Sequence, residues 1–319
     1  MAIDLIRISG ALLIFLCHAC SESGNSIGGM LGQLFNVGVP IFFILSGYLH
    51  SLKNAPVHIV RWYAKKLQRL IVPLYIFLAF LAIVYCINGH PIDKTVWLQT
   101  AIPICGLTQN YISGCGQLWF LTHLLICYLI TPLLQRTHQV AIKQWFLVGV
   151  WVSVAVLLAY SVPQIWCTLW NSLFNYCVGL PKLLETRRPY ALFVLGAAVA
   201  CILRLAFRAA LDETPFYNTV ATEICSIILA GSIFAFLYQM GLNFEKSTSV
   251  LVRKATSEVS KRTYEFYLSH YIFLSGCLRI RISGDVWLDA AVSFTLAVIL
   301  AEMVFVGKRA IEKCMRKIA

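Results

Sequence analysis

Residues Ile3 to Cys20 read IDLIRISGALLIFLCHAC, and the way this stretch is taken decides the fold. Its interior is apolar, and its length approaches the roughly 20 residues that span a hydrocarbon core of about 30 Å. It lacks a Lys/Arg-rich start, and no small-residue cleavage site follows in CHACSESGN. It therefore reads as a retained spanning helix rather than a removable leader. Asp4 at its start can pair with a nearby cation, and two residues farther in do not suit a bilayer: the permanent cation Arg7 and the imidazole His18.

Similar runs recur along the whole chain. Its 319 residues are 59% hydrophobic and 13% charged, against about 25% charged in soluble domains. Ten segments satisfy the length and apolarity of a span: about 3–20, 33–52, 70–88, 117–135, 144–161, 165–181, 189–209, 218–238, 262–281 and 286–307. The expected fold is an all-α, polytopic transmembrane bundle of about ten helices, and 1–319 is expected to form a single membrane-embedded domain.

The net charge of +12 follows from topology rather than from nucleic-acid binding, because the cations lie between apolar runs instead of on a soluble basic face. With the N-terminus inside, the short inner connections hold 20 Lys and Arg and the outer ones hold three: Lys94, Arg279 and Arg281. Both termini are thus expected to be cytoplasmic. The outer segment 89–116 is too long for a turn, and a further span there would invert every later loop. An interfacial or re-entrant helix is expected in it.

Most of the twelve cysteines fall in apolar runs, where Cys acts as a small hydrophobe. Cys105 and Cys115 fall outside, and whether they pair is left open. No His/Cys set has zinc-like spacing, and no Walker, dinucleotide or G-x-S-x-G motif occurs. No metal is expected.

Ionisable groups inside spans mark function more often than chance, because they are costly there. Arg7 and His18 are 11 positions apart. Eleven steps of about 100° return to within roughly 20° of the starting direction and climb about 16 Å. One face thus carries a cation near the inner surface and a titratable base in the outer half. Arg7 snorkelling and His18 capping its helix is one reading of the pair; a catalytic face is the other.

Further polar positions bear on that choice. The second run ends in Ser46 and Gly47, which fit close helix packing or close approach of a ligand. Lys65, Lys66 and Arg69 precede the third helix, either as positive-inside residues or as a phosphate clamp. Trp119 suits an aromatic belt, His123 lies one turn deeper, and Tyr264, Tyr267 and His270 form a stripe at spacings of three.

Taken in order, DLIRISGALLIFLCH, NVGVPIFFILSGYL, RWYAKKLQRLIVP, GQLWFL and YEFYLSHYIF resemble the acyltransferase-3 family of integral-membrane O-acyltransferases. The resemblance implies transfer of an acyl group, most often acetyl from acetyl-CoA, to a hydroxyl of a glycan or lipid-linked saccharide in envelope biogenesis. It further implies a bacterial inner-membrane location and the form without an extracytoplasmic esterase-like domain. It places the family's first-helix pair on Arg7 and His18, its Phe and Ser-Gly element on Phe43, Ser46 and Gly47, its basic element on Lys66 and Arg69, and its late tyrosine and histidine on Tyr267 and His270. Trp119 and His123 are assigned to substrate or structural support. Two positions depart from the family pattern. Lys66 offers phosphate a point charge where an Arg would offer a fork, and Glu265 replaces a small or neutral residue.

The mechanism expected from these residues holds the donor's phosphates on Lys65, Lys66 and Arg69, with Arg7 beside the donor arm. His18 acts either as general base or as carrier of the acyl group. Acyl-CoA, the acceptor and membrane lipids are the expected partners, and nucleic acid is not. A transporter or flippase whose buried Arg, His and Glu line a pathway is the competing class; no paired broken helices in matching halves support it.

Overall fold

The computed structural model describes residues 1–24, 26–137, 144–180, 188–211, 214–282 and 285–318, with side chains except at 26, 137, 144–148 and 316–318. In chain order the helices are α1 (Ala2–Ser21), α2 (Ser26–Phe35), α3 (Gly38–Ser51), α4 (Ile59–Ile87), α5 (Lys94–Ala101), α6 (Cys105–Thr108), α7 (Trp119–Thr137), α8 (Gln144–Ser161), α9 (Gln164–Gly179), α10 (Tyr190–Leu211), α11 (Thr222–Ser247), α12 (Val250–Ser260), α13 (Thr263–Ser269), α14 (Tyr271–Leu274) and α15 (Val286–Ile318). The described residues contain no strand, so the all-α expectation holds.

Among the described residues, seven helical segments are long and apolar enough to cross a membrane: Ala2–Ser21, Ile27–Ser51, Ile59–Ile87, Gly116–Arg136, Tyr190–Leu211, Tyr217–Ser247 and Val286–Met315. The expected spans at 144–161 and 165–181 correspond to α8 and to the 16-residue α9, neither of which counts among the seven. The expectation at 262–281 needs correction. Helix there stops at Leu274, Ser275 is extended, and Gly276 turns the chain at φ 93°. Residues 263–274 would reach about 18 Å as a helix, well short of the apolar core.

One more boundary moves. Helix α4 starts at Ile59, so the cations expected ahead of the third span lie within its first turns. Lys, Arg, Leu and Gln propagate a helix well, and 59–72 contains neither Gly nor Pro to stop it. Segment 89–116 does carry the expected non-spanning helix: Asp93 caps α5 through the Thr95 and Val96 amides, and the short α6 follows. Among the cations expected in inner loops, Lys143, Lys182 and Arg187 lie outside the described residues.

The chain divides into two compact units: Met1–Leu13, Asn36–Val57 and His123–Ser257 in the first, and Ile14–Phe35, His58–Thr122 and Glu258–Ala319 in the second. In the first unit Ile6, Ile41, Ile44, Ala230 and Phe234 are fully buried together. Helix α3 crosses α9 at two glycines. A methyl at Gly47 would run into the Tyr176 carbonyl, and one at Gly179 into the Ile44 carbonyl, so both positions require hydrogen. Leu192, Val194, Leu195, Val199 and Ile202 of α10 face outward, as a lipid-facing surface does. In the second unit α15 packs on α4 and α13. There the turn after α14 is held where the Gly276 and Gly114 backbones touch.

Candidate active site

Within the second unit, the last turns of α1 and the α13–α14 segment bring two imidazoles together. The His18 and His270 ring centroids are 5.4 Å apart, and the Tyr271 ring lies 4.5 Å from that of His18. His18 is partly exposed and His270 fully buried. Phe266 stacks on His270 at 5.9 Å, and Phe15 meets its edge at 6.4 Å. These contacts set the plane of the ring.

A backbone contact also sets its tautomer. His270 Nδ1 is 2.8 Å from the Tyr267 carbonyl, which can only accept, so Nδ1 carries the proton and Nε2 presents a lone pair. That Nε2 is buried and has no hydrogen-bond partner among the described residues.

Gln117, in a single 3₁₀ turn ahead of α7, clamps the same segment from the other side. Its Nε2 donates to the Leu268 carbonyl at 2.9 Å, and its own carbonyl accepts the Tyr267 hydroxyl. Sequence reasoning did not single out Gln117 or Tyr271. Their partners lie at sequence separations such as 151 and 249 residues, and no local pattern reports such contacts.

Just past the C-terminal end of α1, Glu22 accepts from the Tyr271 hydroxyl at 3.1 Å and pairs with Arg279 at 3.2 Å. On α4, Lys65 and Arg69 are exposed, and Lys66 rests over the Trp62 ring at 5.3 Å. Arg61, Lys65 and Arg69 recur at every fourth position along one face. The Tyr264 hydroxyl donates to the Leu70 carbonyl at 2.9 Å, next to the last of these cations. Glu265 also gains an explanation: its fully buried carboxylate pairs with Lys308 Nζ at 2.8 Å. Arg262 nearby is shared between Glu302 and Glu258 and lies over the Phe305 ring.

The remaining expected residues fall in the first unit. Arg7 lies on its stretch of α1. Ser46 reaches the Tyr128 hydroxyl at a long 3.4 Å, and Gly47 serves the α3–α9 crossing. His123, buried, gives its Nδ1 proton to Ser172 at 3.0 Å, since that hydroxyl is already donating to the Thr168 carbonyl. Trp119, assigned to the second unit, sits edge-on to Phe120. Arg204 is buried against Ser226 at 3.1 Å, and Glu223 accepts from Asn175. Cys105 and Cys115 are buried free thiols.

A face with a partly exposed imidazole backed by a second, neutral one can accept a proton from a nucleophile, and exposed cations on a helix can hold an anion. No curated protein and no solved structure matches the chain. The acyltransferase-3 family model, described as an acyltransferase domain, matches residues 2–306. Coverage of nearly the whole sequence, together with seven apolar helices of spanning length among the described residues, places the chain in the acyltransferase-3 family as a multi-pass membrane acyltransferase.

Proposed function

We propose that the protein, acting as one membrane-embedded domain, transfers an acyl group, acetyl by preference, from cytoplasmic acyl-CoA to a hydroxyl of a cell-envelope glycan or lipid-linked saccharide. The membrane is of the bacterial inner-membrane type and both termini are cytoplasmic. The observation that supports this best is His18, a partly exposed base beside the buried His270. The fixed positive charge of Lys65, Lys66 and Arg69 sits in the second and third turns of α4 and suits the donor's phosphates. Arg7 binds near the donor arm, and Ser46 and Gly47 contribute to the donor passage. Trp119, His123, Tyr267 and His270 support the substrate or the site.

In the reaction the acceptor hydroxyl attacks the thioester carbonyl as its proton passes to His18. The new O–C bond forms, the C–S bond breaks, and the departing thiolate takes a proton from His18. In the covalent variant the same imidazole attacks first and carries the acyl group to the acceptor.

Purified protein incubated with labelled acyl-CoAs and a membrane glycan extract should yield an acetylated product by mass analysis. His18→Ala should lose at least about 100-fold in turnover while inserting normally. Arg69→Ala should weaken acetyl-CoA binding first. A folded His18→Ala protein with near-normal turnover rules out the role given to His18.

A further inference from the structure

His18 is the proposed base, yet among the described residues no ion pair joins it to an acid. Glu22, one turn away in sequence, is committed to Tyr271 and Arg279. A catalytic imidazole needs a fixed orientation, and a carboxylate on the second ring nitrogen is the usual means. The group that lies beside His18 here is another imidazole.

We propose that His270 is the positioning residue for His18: its Nε2 lone pair accepts an N–H of His18, so that the opposite nitrogen of His18 faces the acceptor hydroxyl. Three observations carry this. The Tyr267 carbonyl holds the proton of His270 on Nδ1, so Nε2 can only accept. That nitrogen is buried and awaits a donor, and the described residues supply none to it. An N–H···N bond of about 2.9 Å puts imidazole centroids a little over about 5 Å apart, close to the observed 5.4 Å. The packing of Phe266 and Phe15 keeps His270 itself from turning away.

Throughout the reaction His270 stays neutral and takes no proton. Its effect is to select which nitrogen of His18 is basic and where it points. Gln117 serves the same end one step removed, because its two contacts hold Tyr267 and Leu268, the residues that position the carbonyl gripping His270.

This inference rests on the reading of His18 as the base, and the test separates the two. With acetyl-CoA and the glycan extract as probes, His270→Leu should lower kcat about 100-fold and leave the KM for acetyl-CoA within about twofold. His270→Gln, which restores a neutral acceptor at similar reach, should recover at least about a tenth of the wild-type rate. In a His18→Ala background, His270→Leu should have no further effect, since residues acting as a unit are non-additive. Equal loss in the Leu and Gln variants, or a full additional loss in the double variant, overturns the proposal.

A second measurement needs no change at His270. In ¹⁵N-imidazole spectra of the full chain in proteoliposomes, the unprotonated nitrogen of His270 should show a hydrogen bond that His18→Ala abolishes. An unchanged resonance overturns the proposal whatever the assay gives. A wild-type protein that transfers no acyl group, with this resonance behaving as expected, sinks the function and leaves the imidazole pair standing.

Discussion

His50 in the first unit and His270 in the second are both buried imidazoles that give away their Nδ1 proton, but the two donations lead to different ends. From His50 the proton goes to the Tyr176 hydroxyl at 2.7 Å; Tyr176 donates to Thr131 at 2.5 Å, and Thr131 to the Cys127 carbonyl at 2.8 Å. Each proton in that series has an acceptor, and Gln135 adds a bond to the His50 carbonyl at 2.7 Å. From His270 the proton goes straight to a backbone carbonyl, and the ring's other nitrogen is buried without a bond among the described residues, in a ring whose centroid lies 5.4 Å from that of His18. A polar group buried in apolar surroundings is costly unless satisfied. The first unit satisfies this series to tie α3, α7 and α9 together, whereas the second holds an acceptor in reserve.

The largest expected effect breaks the first side of the comparison. The His50–Tyr176 bond depends on α3 and α9 touching at Gly47 and Gly179, where any Cβ meets a backbone carbonyl that cannot move alone. Overpacking a core costs about 1–3 kcal/mol when side chains can shift, and at this crossing none can. Gly179→Val should leave almost no monodisperse protein by fluorescence-detected size exclusion. Normal yield would mean that the crossing is looser than described.

Next in size is Glu265, the one position of the family pattern that the sequence left without a reason. Lys308→Met strands a fully buried carboxylate, and breaking such a pair costs about 3–5 kcal/mol. Adding Glu265→Leu to that variant removes the stranded charge and should recover most of the loss in thermal unfolding. If the double variant is no more stable than Lys308→Met, the pair does more than neutralise charge.

How much of this the sequence discloses depends on the range of the forces involved. Helix α1 was legible throughout, because its apolar length and the misfit residues Arg7 and His18 are local facts. So was the non-spanning character of 89–116, which the charge bias requires. The extension of α4 to Ile59 was not, since hydropathy is blind to a helix that runs on into polar turns. The break after Leu274 was hidden by the apolarity of 262–281 and signalled only by Ser275 and Gly276. His18 and His270 were both named from sequence, but their pairing was out of reach: they lie 252 positions apart, and nothing local ties them. The basis of Glu265 and Gln117 was hidden for the same reason, because each is explained by a contact with a distant segment.

Tyr176→Phe sharpens the comparison directly. It removes one hydroxyl from the His50 series and leaves Thr131 with its donation to Cys127. The cost should be about 1–2 kcal/mol of stability, with kcat for acetyl transfer unchanged within about twofold. That is the reverse of the pattern expected for His270→Leu. If Tyr176→Phe instead lowers turnover with little effect on unfolding, the His50 series belongs to the chemistry and the distinction between the two histidines fails.

The smallest effect lies where water replaces apolar surroundings. Asp93 accepts from the Val96 and Thr95 amides at the start of α5, and these bonds hold its carboxyl below the usual carboxylate range. A depressed folded-state value means that the capping contribution is complete above the unfolded value of about 3.9 and fades as pH falls through the folded one. Amide exchange at Thr95 and Val96 should therefore be slower than in Asp93→Ala at pH 7, with the two proteins converging at low pH once the intrinsic pH dependence is removed. Equal protection at pH 7 would show that packing, not the cap, holds α5. The same kind of satisfied hydrogen bond that secures α3 to α9 in the interior is worth little at an exposed carboxylate, because solvent competes for both partners there.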